Sequence, residues 1–466
     1  VFNDITKTTE CLSLLSSMSE SMSLLPEDLQ SLSLETAPKP TMILQSSSIE
    51  DLPIELREQI LSYLDLETLK SIRLASKKWA YLGQPYLLDP CFNALPSRDD
   101  FNRLLEISQH PYFSSRIGRI VINSFKVHEY QFRHNVYYQN YTLDPDVRAQ
   151  TLEEVMLEYT KYKGLVELYS EDFCRQEILE EVFSNLQNLK AVDIKTQSCL
   201  LGHPALQESW GMESSRGKPS DNESRQFIRI VTAARNTKLE SLSHDPLAVQ
   251  ILEWDNIAET LQPTFAGLTT LKLCFDWPVQ LSGEIDEAPV NLCMASLANC
   301  LKTAPSLREL NVGFHVGSPP QHLHFDFSLL EDFVWPHMHT LALENISWDI
   351  VDIQPFLIAH SGTLKRLRIW ANTSAIGTQN QVHTPRAHQT LLDLLKLRLK
   401  LEKLDFRGYP TYNFRPGQML HTLGKGVYDD DWKPLDGTFV KPCPFAKRCE
   451  DYVIHKGPNP FIERLD

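Results

Sequence analysis

Residues 364–369 read LKRLRI, and the phrase behind them, LxxLxL, decides the fold. Its last two apolar residues are two apart, so on a short strand they point to one side. The first precedes the strand and packs the turn leading into it. With conservative replacements the phrase recurs as LKAVDI at 189, LESLSH at 239, LTTLKL at 268, LRELNV at 307, MHTLAL at 338 and LEKLDF at 401. IGRIVI at 117 has the same form. Between the phrases lie stretches of helical spacing, such as CMASLANCLKTAP (293–305) and VDIQPFLIAHSG (351–362).

A unit of one strand and one helix has a single apolar face. Burying its three large aliphatic side chains contributes roughly 5–9 kcal/mol, which backbone ordering offsets heavily. A lone unit should not fold, whereas stacked units bury a continuous core. The expectation over 117–407 is an α/β solenoid of parallel strands joined by helices. Successive phrases start 50, 29, 39, 31, 26 and 37 residues apart. Regular leucine-rich repeats run about 20–29 residues and close on an asparagine. The asparagine is mostly missing here, so the array is leucine-rich-repeat-like but irregular. Residues 210–225 (WGMESSRGKPSDNESR) and 371–387 read as polar insertions that lengthen the spacing.

Upstream, a helical module is expected over 49–90, whose residues 49–88 read IEDLPIELREQILSYLDLETLKSIRLASKKWAYLGQPYLL. Asp51 suits an N-cap, with Pro53 in the first turn that follows. Leu56, Ile60 and Leu64 recur at helical spacing, and Leu52 and Leu61 widen the apolar surface. Asp65 can cap a second helix carrying Leu69, Ile72 and Ala75 on one face, and Leu74 and Trp79 suit a third face. Three short helices cannot enclose a large core, so they need a neighbour or a partner for the excess.

This stretch resembles the F-box, through LPxELxxxIxxYL (52–64) and LxxLxxxRLxSKxW (66–79). The whole chain resembles, more loosely, fungal F-box proteins with a leucine-rich-repeat-like C-terminal part. The resemblance implies a substrate adaptor of a Skp1–cullin–F-box ubiquitin ligase. Its helices would bind a Skp1-like protein, and through it a cullin core, by way of Leu52, Pro53, Leu56, Ile60, Leu61, Leu64, Leu69, Leu74 and Trp79. The repeats would hold a protein substrate, in cytoplasm or nucleus. The residues alone also allow a binding scaffold unrelated to ubiquitination, with the helical module serving as an internal cap.

The rest of the chain divides into a Ser-rich arm over 1–48, expected to be disordered, a helical connector over 91–116 and a C-terminal cap and tail over 408–466. Two helices broken near Ser170 are expected over 145–185. The 466 residues carry 45 basic against 60 acidic side chains, a formal charge of −15, which makes nucleic acid a poor default partner. No apolar run is long enough for a membrane span. The chain opens on Val1, without a visible secretory signal, which fits a fragment or a trimmed product. Nine cysteines suit buried thiols rather than a disulfide scaffold.

Enzyme chemistry finds no purchase. GxSxG, HExxH and a Walker loop are all missing. Asp429, Asp430 and Asp431 are consecutive, so their side chains diverge. His322 and His324 could share a strand face without forming a site. Cys443, Cys449 and His455 are spaced too widely, and too few, for a structural zinc site. The reading is of a non-catalytic protein with no cofactor and no metal. A hydrolase whose site is assembled from distant loops would need converging Asp, His or Cys side chains in a concave pocket.

Overall fold

The computed structural model describes residues 49, 52–123, 129, 133, 144–170, 173–195, 221–276, 287–314, 325–344, 346, 350–370, 385–407 and 444–460. The Ser-rich arm, Asp51, His322, His324, the Asp429–Asp431 run and Cys443 lie outside them. The chain divides into two compact units, Val1–Gly83 and Gln84–Asp466.

Among the described residues of the second unit, nine strands form one parallel sheet whose spatial order is the chain order. They are β1 (Cys91–Ala94), β2 (Arg119–Asn123), β3 (Ala191–Lys195), β4 (Ser241–Ala248), β5 (Thr270–Asp276), β6 (Glu309–Phe314), β7 (Thr340–Glu344), β8 (Arg366–Trp370) and β9 (Lys403–Arg407). Helices lie between most neighbouring strands, including Asp100–Gln109, Gln176–Asn185, Asp221–Ala234, Ile257–Phe265, Glu287–Lys302, Ile350–Ala359 and Pro385–Arg398. This is an open α/β solenoid of alternating parallel strands and helices.

Every LxxLxL phrase lies at or just ahead of a strand. The penultimate apolar position forms a row across the sheet from Phe92 through Ile120, Val192, Leu242, Leu271, Leu310, Leu341 and Leu367 to Leu404. All nine are buried in one continuous apolar cluster. The first position of the phrase, as in Leu189, Leu268, Leu307 and Leu364, is buried in the same cluster. The reason is geometric: alternate strand residues face one side, and the turn residue drops beneath them.

A second row of bonds fixes the pitch. The carbonyl before each strand accepts two N–H groups from the next coil. The Gly118 carbonyl takes Lys190 N (2.9 Å) and Ala191 N (3.1 Å), and the Arg308 carbonyl takes His339 N (2.8 Å) and Thr340 N (3.0 Å). The same double acceptance runs from Pro90 to Lys365.

Three features depart from the expectation. Strand β1 falls inside the segment read as a helical connector, of which only Asp100–Gln109 forms a regular α-helix. By register its phrase is DPCFNA (89–94), with Asp89 where the first leucine belongs and Ala94 at the end. Asp89 accepts from the Cys91 N–H at 2.7 Å, replacing apolar packing by a hydrogen bond. Asp221–Arg225, read as part of a polar insertion, are the start of helix Asp221–Ala234, and Pro385–Ala387 likewise open helix Pro385–Arg398. Near the end, helix Pro444–Val453 packs on β9 and on helix Pro385–Arg398. There Tyr452 donates to Asp393, and Lys396 Nζ stands 3.7 Å from the Tyr452 ring centroid.

The opposite face of the sheet carries polar pairs. Arg119 and Ser243 both bond Asp193. Arg368, 1% exposed, bonds Glu344 at 2.9 Å and lies 3.6 Å from Asp405. The Arg368 and Arg407 guanidinium groups lie over the Trp370 ring, 4.7 and 4.5 Å from its centroid.

Two histidines are buried for different reasons. His360 joins three coils: its Nε2 accepts from the Trp335 N–H (3.0 Å), its Nδ1 faces the Phe356 carbonyl (2.7 Å), and Trp335 Nε1 donates to Ala304 O (2.8 Å). This pattern requires the neutral ring protonated on Nδ1, and burial pushes its pKa down accordingly. His244 takes an apolar place in the inward row between Ile194 and Leu273, edge-on to Phe227. Burial lowers it from 6.5 to about 3, against an opposing contribution from the Pro246 backbone.

Replacing His360 by Leu should cost about 1–3 kcal/mol in urea unfolding at pH 7.5, because the buried Trp335 N–H loses its acceptor. His244→Leu should act through pH instead. The unfolded imidazole takes up a proton below 6.5 and the folded one does not, so wild-type stability falls as pH drops from 6.5 toward 3. At about 1.4 kcal/mol per pH unit, the gap between His244→Leu and wild type should widen by about 2 kcal/mol between pH 6.5 and 5. A gap that stays constant over that range would refute the assignment.

Candidate functional site

The described residues of the first unit form three short helices, α1 (Ile54–Ser62), α2 (Leu66–Ala75) and α3 (Lys77–Leu82). Pro53 occupies the N-cap position of α1 rather than its first turn. Its fixed φ suits the start of a helix, and its missing N–H costs nothing there. Asp65 caps α2 by accepting the Thr68 N–H at 2.8 Å, and the Thr68 hydrogen bonds hold its carboxyl below the ordinary value. Ser76 ends α2 in extended backbone and caps α3 by accepting the Lys78 N–H. Arg73 Nε donates to the Ala80 carbonyl at 3.1 Å and ties α2 to α3. Gly83 closes the unit, where an added Cβ would meet Arg73 Cγ and the Trp79 carbonyl at 2.9 Å.

The apolar positions read from the sequence separate into two groups. Leu61, Leu69 and Trp79 are buried, at 0%, 1% and 5% exposure. Leu52, Ile60 and Leu64 are half-buried, while Pro53, Leu56 and Leu74 are exposed, Leu74 at 90%. Helical spacing identifies all of them as apolar but cannot say which face is covered. Leu61, one residue beyond Ile60, proves the more deeply buried of that pair. Ile54, Tyr63, Leu66 and Tyr81 add exposed apolar surface that the sequence reading did not single out. Their signal was present, as large apolar residues off the main stripe in a unit too small to cover them.

Exposed apolar side chains on short helices are suited to protein docking. Residues 49–83 match the F-box domain. The chain contains an F-box domain. F-box domains are non-catalytic adaptor modules, and the matched residues span both quoted motifs and end at Gly83. The comparison with curated proteins found no match to the chain.

Elsewhere, no group of three or more His, Cys, Asp or Glu among the described residues is placed to hold a metal ion. Among the described residues Cys91, Cys174, Cys274, Cys293 and Cys300 are free thiols. Burial pushes Cys293 and Cys300 up to about 12, which suppresses thiolate chemistry there. No helix among the described residues is long and apolar enough to cross a membrane.

The division between buried and exposed positions predicts opposite outcomes. Trp79→Ala should cost about 3–5 kcal/mol and abolish hydrogen-exchange protection in peptides covering 54–82. Leu74→Ser should leave that protection within about 0.5 kcal/mol of wild type.

Proposed function

We propose that this protein is a non-catalytic substrate-recognition adaptor of a Skp1–cullin–F-box ubiquitin ligase. The observation that carries the reading is the F-box match over 49–83, with Leu56 and Leu74 left exposed on its helices. A Skp1-like protein docks on this module, with Leu56, Ile60, Leu64 and Leu74 as direct contacts. Leu61, Leu69 and Trp79 hold the helices in place from beneath. The solenoid, a leucine-rich-repeat-like array in this reading, binds a protein substrate. The adaptor supplies no chemistry of its own. It raises the effective concentration of substrate lysines near a ubiquitin-carrying enzyme, which is catalysis by proximity. The site of action is the cytoplasm or the nucleus.

Anchor side chains at the centre of an interface contribute several kcal/mol together. Co-expressed with a Skp1-like protein, the Leu56→Asp, Ile60→Asp double variant should lose Skp1 in affinity purification by at least about 100-fold. Thermal unfolding of the solenoid should stay unchanged in the same preparation. Full retention of Skp1 by a folded double variant would defeat the proposal.

A further inference from the structure

The helices of the solenoid do not all turn the same kind of face to water. Helix Gln176–Asn185 exposes Glu177 and Glu181, helix Asp221–Ala234 exposes Arg225 and Arg229, and helix Ile257–Phe265 exposes Glu259 and Gln262. Helix Ile350–Ala359 is different. Among its described side chains the exposed ones are Val351, Pro355, Ile358 and Ala359, and its two polar residues, Asp352 and Gln354, are half-buried. Val351, Pro355 and Ile358 recur at i, i+4 and i+7, so they form one stripe along the outward side. A solenoid helix needs only its inward side apolar. One that is apolar on the outward side as well has a second surface to cover.

The neighbouring coils extend the stripe into a belt. The segment before β7 exposes Val334 and Pro336, and helix Pro385–Arg398 exposes Leu397, at 79%. Val334 stands shortly before Thr340, Ile358 before Arg366 and Leu397 before Lys403, so the three lie at similar levels on successive coils. Charges of opposite sign flank the belt. Before β7, Glu331 and Asp332 are exposed, and residues 325–339 contain no Lys or Arg. Before β9, Arg398 and Lys400 are exposed. The acids of that coil are engaged, Asp393 by Tyr452 and Glu402 by Lys365 at 3.5 Å. Arg398 also suits the carbonyl end of its helix, whereas Lys400 lies beyond that end.

We infer that this belt pairs with a second copy of the chain, helix Ile350–Ala359 lying parallel to its counterpart and face to face with it. A two-fold axis along that helix sets like against like only at the centre, where Val351, Pro355 and Ile358 meet their equivalents. On either side it puts the coil before β7 opposite the coil before β9 of the other copy. Glu331 and Asp332 then face Arg398 and Lys400, twice over. An unrelated protein would have to match both flanks separately, whereas a second copy carries the match already. Three elements about 10 Å wide and about 15 Å long offer roughly 450 Å² per copy. The total of about 900 Å² is at the low end for specific interfaces, so the dimer is reversible and concentration-dependent. The inference does not depend on the adaptor reading, which rests on the helices of the first unit.

The test is sedimentation velocity on the full chain from about 1 to 100 μM. A reversible shift from monomer to dimer is expected. Leu56→Asp, Leu74→Asp, which alters the exposed surface of the helical module, should leave the dimer affinity within about threefold of wild type. Ile358→Asp should weaken it at least about tenfold. Glu331→Lys, Asp332→Lys and, separately, Arg398→Glu, Lys400→Glu should each weaken it by a similar factor in samples with wild-type melting. Mixing these last two proteins should restore a mixed dimer, because each then carries the sign that the other lacks. Should Ile358→Asp lower the melting point, the mixing experiment decides alone. A chain still monomeric at about 100 μM, which would leave the belt to a different protein, would overturn the inference. So would open-ended aggregation, loss of the dimer in the helical-module variant, or failure of the two reversed proteins to pair.

Discussion

The carbonyl that precedes each strand is the hinge on which the solenoid depends. It accepts two N–H groups from the following coil, so each strand begins only where the previous one has placed its acceptor. That fixes the register at one point per coil and leaves the remainder of the coil free to vary. Leucines at the phrase positions then have one place to go, the inward side, and their burial closes the core behind the ladder. The irregular spacing of the phrases follows from this. Added residues fall between anchor points, and lengthening a connection costs only logarithmically in chain entropy.

The helical module obeys a different economy. Its buried apolar residues are few, and its order depends heavily on local devices: the Asp65 and Ser76 caps, the Arg73–Ala80 bond and the close fit at Gly83. Caps stabilise helix ends without consuming apolar surface. Much of the remaining apolar surface is therefore exposed, which is what a docking module requires. A larger core would have stabilised the unit and concealed the same side chains.

The strands β2–β9 were legible because one phrase carries both their periodicity and their start. Strand β1 was not, because Asp89 does by hydrogen bonding what leucine does elsewhere by packing. Apolar periodicity is blind to that exchange. The candidate docking residues were legible as a set, through motif and spacing, but not as buried or exposed. In so small a unit that depends on how α1–α3 cross, and a residue such as Leu74 has the same sequence signature whether it packs or faces water.

The polar face of the sheet shows why the last coils keep that register. Burying a guanidinium such as Arg368 carries a desolvation cost that one carboxylate rarely repays. Here Glu344 on β7 and Asp405 on β9 flank it, and Trp370 and Arg407 complete the layer. Burial still pushes the Glu344 pKa upward, with Arg368 pulling the other way, so the group is held by balance rather than by surplus. A slip of one residue in β8 would turn Arg368 toward the apolar side and Ile369 away from it. The apolar rows alone would penalise such a slip through lost burial. The ion triad adds an unpaired charge in the core to that penalty, which makes the alternative register far more costly than the modest net stability of the triad suggests.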